Sequence, residues 1–418
     1  MRDSRQSANT AQTALGAALT VFLALGLATE AGAGTRDQAK RIHDRLVGTP
    51  PSIACLDQLQ ARLESEGAKA AALDAIDNTG SGDACTDPSF YNVTLKNFIT
   101  PWTNEEQTVF APLNDYTATV IGIIRDERDF RQILWEDVLY IGNGVSPAYA
   151  NDSNAHYETI EDQGLNLADP AVLVATTQSA VTGLPAEATA GIITTRGAAR
   201  SFFIDGTNRA MFRFTLLNHL CTDLEQIKDP TRTHDRIPQD VARSPGGDSR
   251  IFMNACVGCH AGMDPLRQSM AYYDFEYSGD ADSGRLVYNT AAVETDNEGN
   301  PTRVQRKYLI NANNFEFGYV VPDDQWENYW RAGPNSALGW DPSLPGKGAG
   351  AKSFGMEFAY SEAFARCQVE KVFKAVCFRP PVDASDRSQI DGMITTFKSS
   401  SYNLKQVFAE SADYCKGD

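Results

Sequence analysis

Cys256-Val257-Gly258-Cys259-His260 places two thiols three residues apart, with an imidazole four residues after the first. At 3.6 residues per turn, positions i, i+3 and i+4 share one side of a helix. Two thiols so placed can each add across a vinyl group at one porphyrin edge, while the imidazole donates to the iron. The expected chemistry is therefore covalent attachment of one haem c through Cys256 and Cys259, with His260 as the proximal iron ligand. Chance would put two Cys and one His at these positions in only about 0.002 of chains of this composition. A zinc site would need a second ligand pair, and no other C-x-x-C and no H-x-x-x-H occurs. A thioredoxin-type redox pair belongs to a βαβ unit, whereas this one lies in helix-forming sequence.

The rest of such a site is less constrained. A backbone carbonyl at an Asp264-Pro265 turn is the expected acceptor for the Nδ1 proton of His260. Arg243, Arg250, Arg267, Tyr272 and Tyr273 lie near enough in sequence to reach haem propionates. For the sixth iron position, Met263 is too close to His260 to cross the ring, and Met253 and Met270 are better read as packing residues. Met356, 96 residues beyond His260, is the methionine candidate. His43, His156, His219 and His234 are the imidazole candidates, His219 reading more naturally as a core residue, and an open position is the remaining choice.

The elements around this segment read as mainly helical. Residues 34–86 form an expected N-terminal helical hairpin, 87–206 a helical domain and 207–283 the haem-attachment segment, with one long helix over 207–230. The period changes to two in "GRLVYNTAAV" and "RVQRKYLI", which flank the turn "DNEGNP". Residues 284–350 are accordingly expected to be a small antiparallel β insertion followed by a Gly- and Pro-rich linker. "DADSG" and "DNEGN" lack the full spacing of a calcium loop and read as solvated turns. Residues 351–418 form a closing helical segment. The fold class expected is mainly α, a helical haem-bearing core with a small antiparallel β insertion.

Composition narrows the setting. With 37 Lys and Arg against 54 Asp and Glu, the net charge of −17 repels phosphate backbones and favours a basic protein partner over nucleic acid. Residues 1–33 read as a cleaved export signal: Arg2 and Arg5, an apolar run from Ala14 to Ala28, then Ala31-Gly32-Ala33. A periplasmic or extracellular protein without stable membrane insertion is expected. If two of the eight cysteines hold haem, six remain for three disulfides, and Cys55 with Cys85 is the pairing that proximity suggests.

"RIHDRLVGTPPS", "RDFRQILWEDVLYI", "RAMFRFTLLNHLCTD", "CVGCHAGMDPL" followed by "YYDFE", and "FARCQVEKVFKAVCFRPP" together resemble the planctomycete-type single-haem cytochrome c family, exported bacterial proteins built from successive domains of unknown function. The resemblance implies a mainly helical, haem-bearing protein outside the cytoplasm, and it supports Cys256, Cys259 and His260. It supplies no sixth ligand. Three functional expectations follow: electron transfer, a haem enzyme of peroxidase or oxygenase type with an open distal site, and an envelope scaffold in which haem is structural.

Overall fold

The computed structural model describes residues 33–77, 84–204, 206–279, 283–310 and 312–417. The export-signal expectation lies, but for Ala33, outside the described residues. The chain is mainly helical, and among the described residues strands occur only in small two-stranded antiparallel sheets.

Ser52 opens the second N-terminal helix by accepting a hydrogen bond at its Oγ from the Cys55 backbone N–H at 3.1 Å, an ordinary N-cap. The expected hairpin proves to be three helices, Thr35–Val47, Ile53–Glu66 and Ala68–Asp77. Gly67, at φ 91°, ends the second helix and turns the chain into the third. The C-terminal helix Leu404–Tyr414 packs on the third, and the disulfide Cys377–Cys415 ties its end to the helix Glu362–Cys377. One continuous hydrophobic cluster runs from Ala39 to Ala412. The segments 34–86, 87–206, 207–283 and 351–418 thus share a core rather than standing as separate domains.

Several expected elements change type. "VLYIG" continues the helical reading of Phe130–Leu134 in sequence, but Leu139–Gly142 is a strand paired with Leu173–Thr176. Short apolar runs carry no periodicity that separates strand from helix. The helix expected over 207–230 spans only Arg209–Leu220, and Cys221, at φ 52°, leaves it to bond Cys367. Gly284–Tyr288 pairs with the preceding Tyr273–Tyr277 and not with "RVQRKYLI", so the hairpin straddles the expected boundary at 284. The turn "DNEGNP" does close a hairpin, of two residues a side, with the Asp296 carboxylate accepting from its own loop N–H groups. The expected linker is packed: Trp330 and Trp340 are buried within and beside it, and its end opens the helix Gly350–Ala359.

The segment that carries Cys256, Cys259 and His260 is one continuous helical path. Asp248 accepts at its Oδ1 from the Arg250 backbone N–H, Ser249–Ile251 makes one turn, Phe252–Cys256 widens to a π turn, and Val257–Arg267 continues as α-helix. Pro265 lies inside that helix, so the Asp264-Pro265 turn expected from sequence does not form. On the back of the helix, a Cβ at Gly262 would stand 2.0 Å from the Trp330 indole Nε1. Only glycine admits this contact, and it sets how deeply the helix sits on its support. Gly262→Ala is expected to cost about 1–3 kcal/mol through overpacking against a rigid ring, read as a lower denaturant midpoint with unchanged m.

Candidate functional site

Six of the eight cysteines are oxidised, in Cys55–Cys85, Cys221–Cys367 and Cys377–Cys415. The pairing of Cys55 with Cys85 is as expected. Cys256 and Cys259 stay as thiols, both half-buried. Three disulfides suit a protein folded outside the reducing cytoplasm, and no helix among the described residues is long and apolar enough to cross a membrane.

The two thiols differ in surroundings. Cys256 packs at the edge of a small apolar cluster formed by Ile237, Phe252 and Val257. Cys259 faces the 223–228 loop, its Sγ 3.5 Å from the Leu224 carbonyl oxygen, and burial pushes its thiol up against the opposing influence of Lys228. Among the described residues no group of three or more His, Cys, Asp or Glu side chains converges as a metal cluster, so nothing completes a tetrahedral zinc set around this pair.

His260 is fixed by a side chain, not by the backbone carbonyl expected from sequence. Its Nδ1 lies 2.7 Å from Asp264 Oδ2, one helical turn on. Asp264 is buried, and its Oδ1 accepts from Arg267 Nε at 2.7 Å and Arg209 Nε at 3.2 Å. Burial alone would raise the Asp264 carboxyl, but Arg209, Arg267 and His260 together hold it well below the usual carboxylate range. An ionised carboxylate only accepts, so the imidazole proton must sit on Nδ1. Nε2, on a side chain 19% exposed, is the ring nitrogen that Asp264 does not engage.

The arginines divide by role. Arg267 is wholly buried: it pairs with Asp264, donates from Nη1 to the Thr207 carbonyl at 2.9 Å and lies over the Tyr308 ring, so it braces the carboxylate instead of reaching a ligand. Arg243 donates to the carbonyls of Ile237, Pro238 and Val241 and is sandwiched between the rings of Phe252 and Phe315. Arg250 stands on the surface, paired with Asp248. Tyr273 is buried, its hydroxyl donating to the Ala188 carbonyl, and Tyr272 lies under the Arg303 guanidinium. Arg209, bridging Asp264 to Asp240, is the residue that sequence reading missed. Its signal was faint, a cation at the first position of an apolar helix.

Met356 is half-buried on the helix Gly350–Ala359, whose Phe354 and Phe358 pack against Phe212 beside Trp330. Trp330 in turn backs Gly262, which at two residues from His260 lies on roughly the opposite face of the attachment helix. Met270 is a core residue, as its packing reading anticipates, and Met263 is buried as well, but Met253, also read as packing, stands 52% exposed because the π turn carries it to the surface side of the helical path.

Comparison with family models, with curated proteins and with solved structures finds no match to this chain. The resemblance to planctomycete-type cytochromes therefore rests on the quoted residues alone.

Removing the carboxylate tests the clasp. Asp264→Ala leaves Arg267 buried without its partner and is expected to lower stability by about 3–5 kcal/mol in chemical denaturation. Arg250→Ala, at the exposed pair, is expected to stay within about 0.5 kcal/mol of the parent.

Proposed function

We propose that the protein is an exported c-type cytochrome carrying one haem c, joined through Cys256 and Cys259 with His260 as the proximal ligand, which passes single electrons to a basic partner outside the cytoplasm. The observation that carries this reading is the pair of thiols left unoxidised one turn apart, beside an imidazole whose Nδ1 is held by Asp264, in a chain whose other six cysteines are paired. Attachment needs no oxidant: each Sγ bonds one vinyl carbon and the thiol hydrogen passes to the other. Bound haem supplies a one-electron iron couple. The protein's part is to present both thiols on one face, hold the imidazole in one tautomer and set its basicity.

That last task gives the second reading some support. A carboxylate acceptor on Nδ1–H makes the imidazole more electron-rich than a carbonyl would and stabilises the more oxidised metal. Such a setting suits a low-potential electron carrier, and it equally suits a haem enzyme of peroxidase or oxygenase type. Arg209 and Arg267 draw charge away from Asp264 and moderate the effect, which favours electron transfer.

The protein, expressed with export and haem-attachment machinery, is expected to keep haem through denaturing electrophoresis and to gain the mass of one haem. Cys256→Ala with Cys259→Ala should abolish that retention, and a double variant that still holds haem covalently would sink the proposal. Asp264→Asn should raise the reduction potential by about 59 mV for each tenfold loss of preference for ferric over ferrous iron. Peroxide turnover by the parent at several pH values would move the assignment to the enzyme.

A further inference from the structure

The three disulfides are not equally open to solvent. Cys55 and Cys85 are both buried, and Cys377 is buried beside a half-buried Cys415. Cys221 alone among the six is exposed, while its partner Cys367 is buried in the helix Glu362–Cys377. Both half-cystines line a cavity of about 360 Å³, with Leu220, Leu338 and Ile394 as its apolar wall. A thiolate must reach a sulfur directly to exchange with it, so an exposed disulfide is the labile kind.

The cavity is charged as well as open. Glu362 and Glu370 line it against one cation, Arg366, and that guanidinium is already engaged by Glu370 and, at 2.7 Å, by Asp391. An incoming cation is therefore attracted and an incoming anion repelled. The other disulfide that borders a cavity has the opposite surroundings: Cys377–Cys415 lies between Arg45 and Arg379.

The local structure allows this bond to open while the fold stays closed. Cys221 stands at φ 52°, a left-handed conformation that crowds its Cβ against the backbone, so releasing the bond relieves strain. Other contacts tie the same two helices. Lys371 Nζ donates to the Asn218 carbonyl at 2.9 Å, Gln368 Nε2 donates to the His219 carbonyl at 3.3 Å, and the Phe364 ring stacks on His219. The end of the helix Arg209–Leu220 thus remains anchored when the sulfurs part.

We infer that Cys221–Cys367 is a thiol–disulfide exchange site for a small cationic thiol, which enters this cavity and attacks Cys221 Sγ. The incoming thiolate sulfur bonds Cys221 Sγ and the bond between Cys221 and Cys367 breaks. Cys367 Sγ leaves with the electron pair and takes up the proton that the attacking thiol gave up. One disulfide and one thiol are exchanged for a mixed disulfide on Cys221 and a thiol on Cys367, with no net oxidation. Return attack by Cys367 expels the small thiol, so the cap on Cys221 is reversible. The inference does not rest on the cytochrome reading, because neither Cys256 nor Cys259 takes part.

The test uses the whole folded protein. Any free thiol is first blocked with N-ethylmaleimide, and the protein is then held with cysteamine for increasing times. After an acid quench, new thiols are alkylated in denaturant with isotope-labelled N-ethylmaleimide and all cysteines are mapped by mass spectrometry. The cysteamine adduct is expected on Cys221 and the labelled alkyl group on Cys367, with Cys55–Cys85 and Cys377–Cys415 still closed and the circular dichroism of the folded protein retained. Mercaptoacetate, similar in size and opposite in charge, should open the same bond several-fold more slowly at equal thiolate concentration and low salt, and the gap should shrink at high salt. First opening at either other disulfide, simultaneous opening of all three, or the adduct on Cys367 in place of Cys221 overturns the inference. So does no opening before the protein unfolds, or opening by mercaptoacetate as fast as by cysteamine.

Discussion

A single buried carboxylate organises this site. Asp264 has no exposed side-chain surface, and an ion in such a place is tolerated only when neighbouring charges and hydrogen bonds replace water. Three partners do so: the His260 imidazole, the Arg267 guanidinium and the Arg209 guanidinium. Each brings a further segment with it. Arg267 reaches the Thr207 carbonyl and lies over Tyr308, and Arg209 continues to Asp240, whose carbonyl accepts from the Asn314 side chain. Residues far apart in the chain are gathered at one oxygen pair. Because the charge cannot relax into solvent, the imidazole it holds cannot rotate freely either, and the tautomer of His260 becomes a property of the whole cluster.

That cluster also shows how far the sequence could be read. The spacing of Cys256, Cys259 and His260 was legible as one helical run, and the structure does place Cys256 at the end of the π turn with Cys259 and His260 on the helix that follows. The role of Asp264 was not, because Pro265 disfavours α geometry at the residue before it and signals a turn. In the fold the helix continues through both, and local preference yields to a tertiary pairing with Arg209, 55 residues upstream. The i, i+4 spacing of His260 and Asp264 was the one available sign, and it counts only once the helix is known to continue. The same limit explains Leu139–Gly142, whose four residues are too few to show a period, and the tryptophan-bearing linker, whose Gly and Pro content hid the burial of Trp330 and Trp340. The helical class itself was readable, since Phe212, Leu216, Leu217 and Leu220 show an apolar side directly, and the structure buries all of them but Leu217, which is half-buried.

The two sides of the attachment helix are finished to different degrees, and the difference bears on function. Behind it, Gly262 accepts the Trp330 ring in a contact that no other residue would permit, Trp340 donates to the Trp330 carbonyl, and Phe212 joins the stack to Phe354 and Phe358. This side fixes the helix against translation. In front, two thiols remain unoxidised in a chain that oxidises all its others, and a groove lined by Phe252, Met253 and Phe317 leaves the last two in water. A sequence selected for stability alone would fill or cover such a surface, since leaving large apolar side chains exposed forgoes about 25 cal/mol for every Å² left in contact with water. A rigid back combined with an unfilled front is the arrangement expected of a seat for a large apolar group. On the proposed cytochrome reading, the thiols and the imidazole would attach that group, and the buried carboxylate would orient the imidazole to meet it.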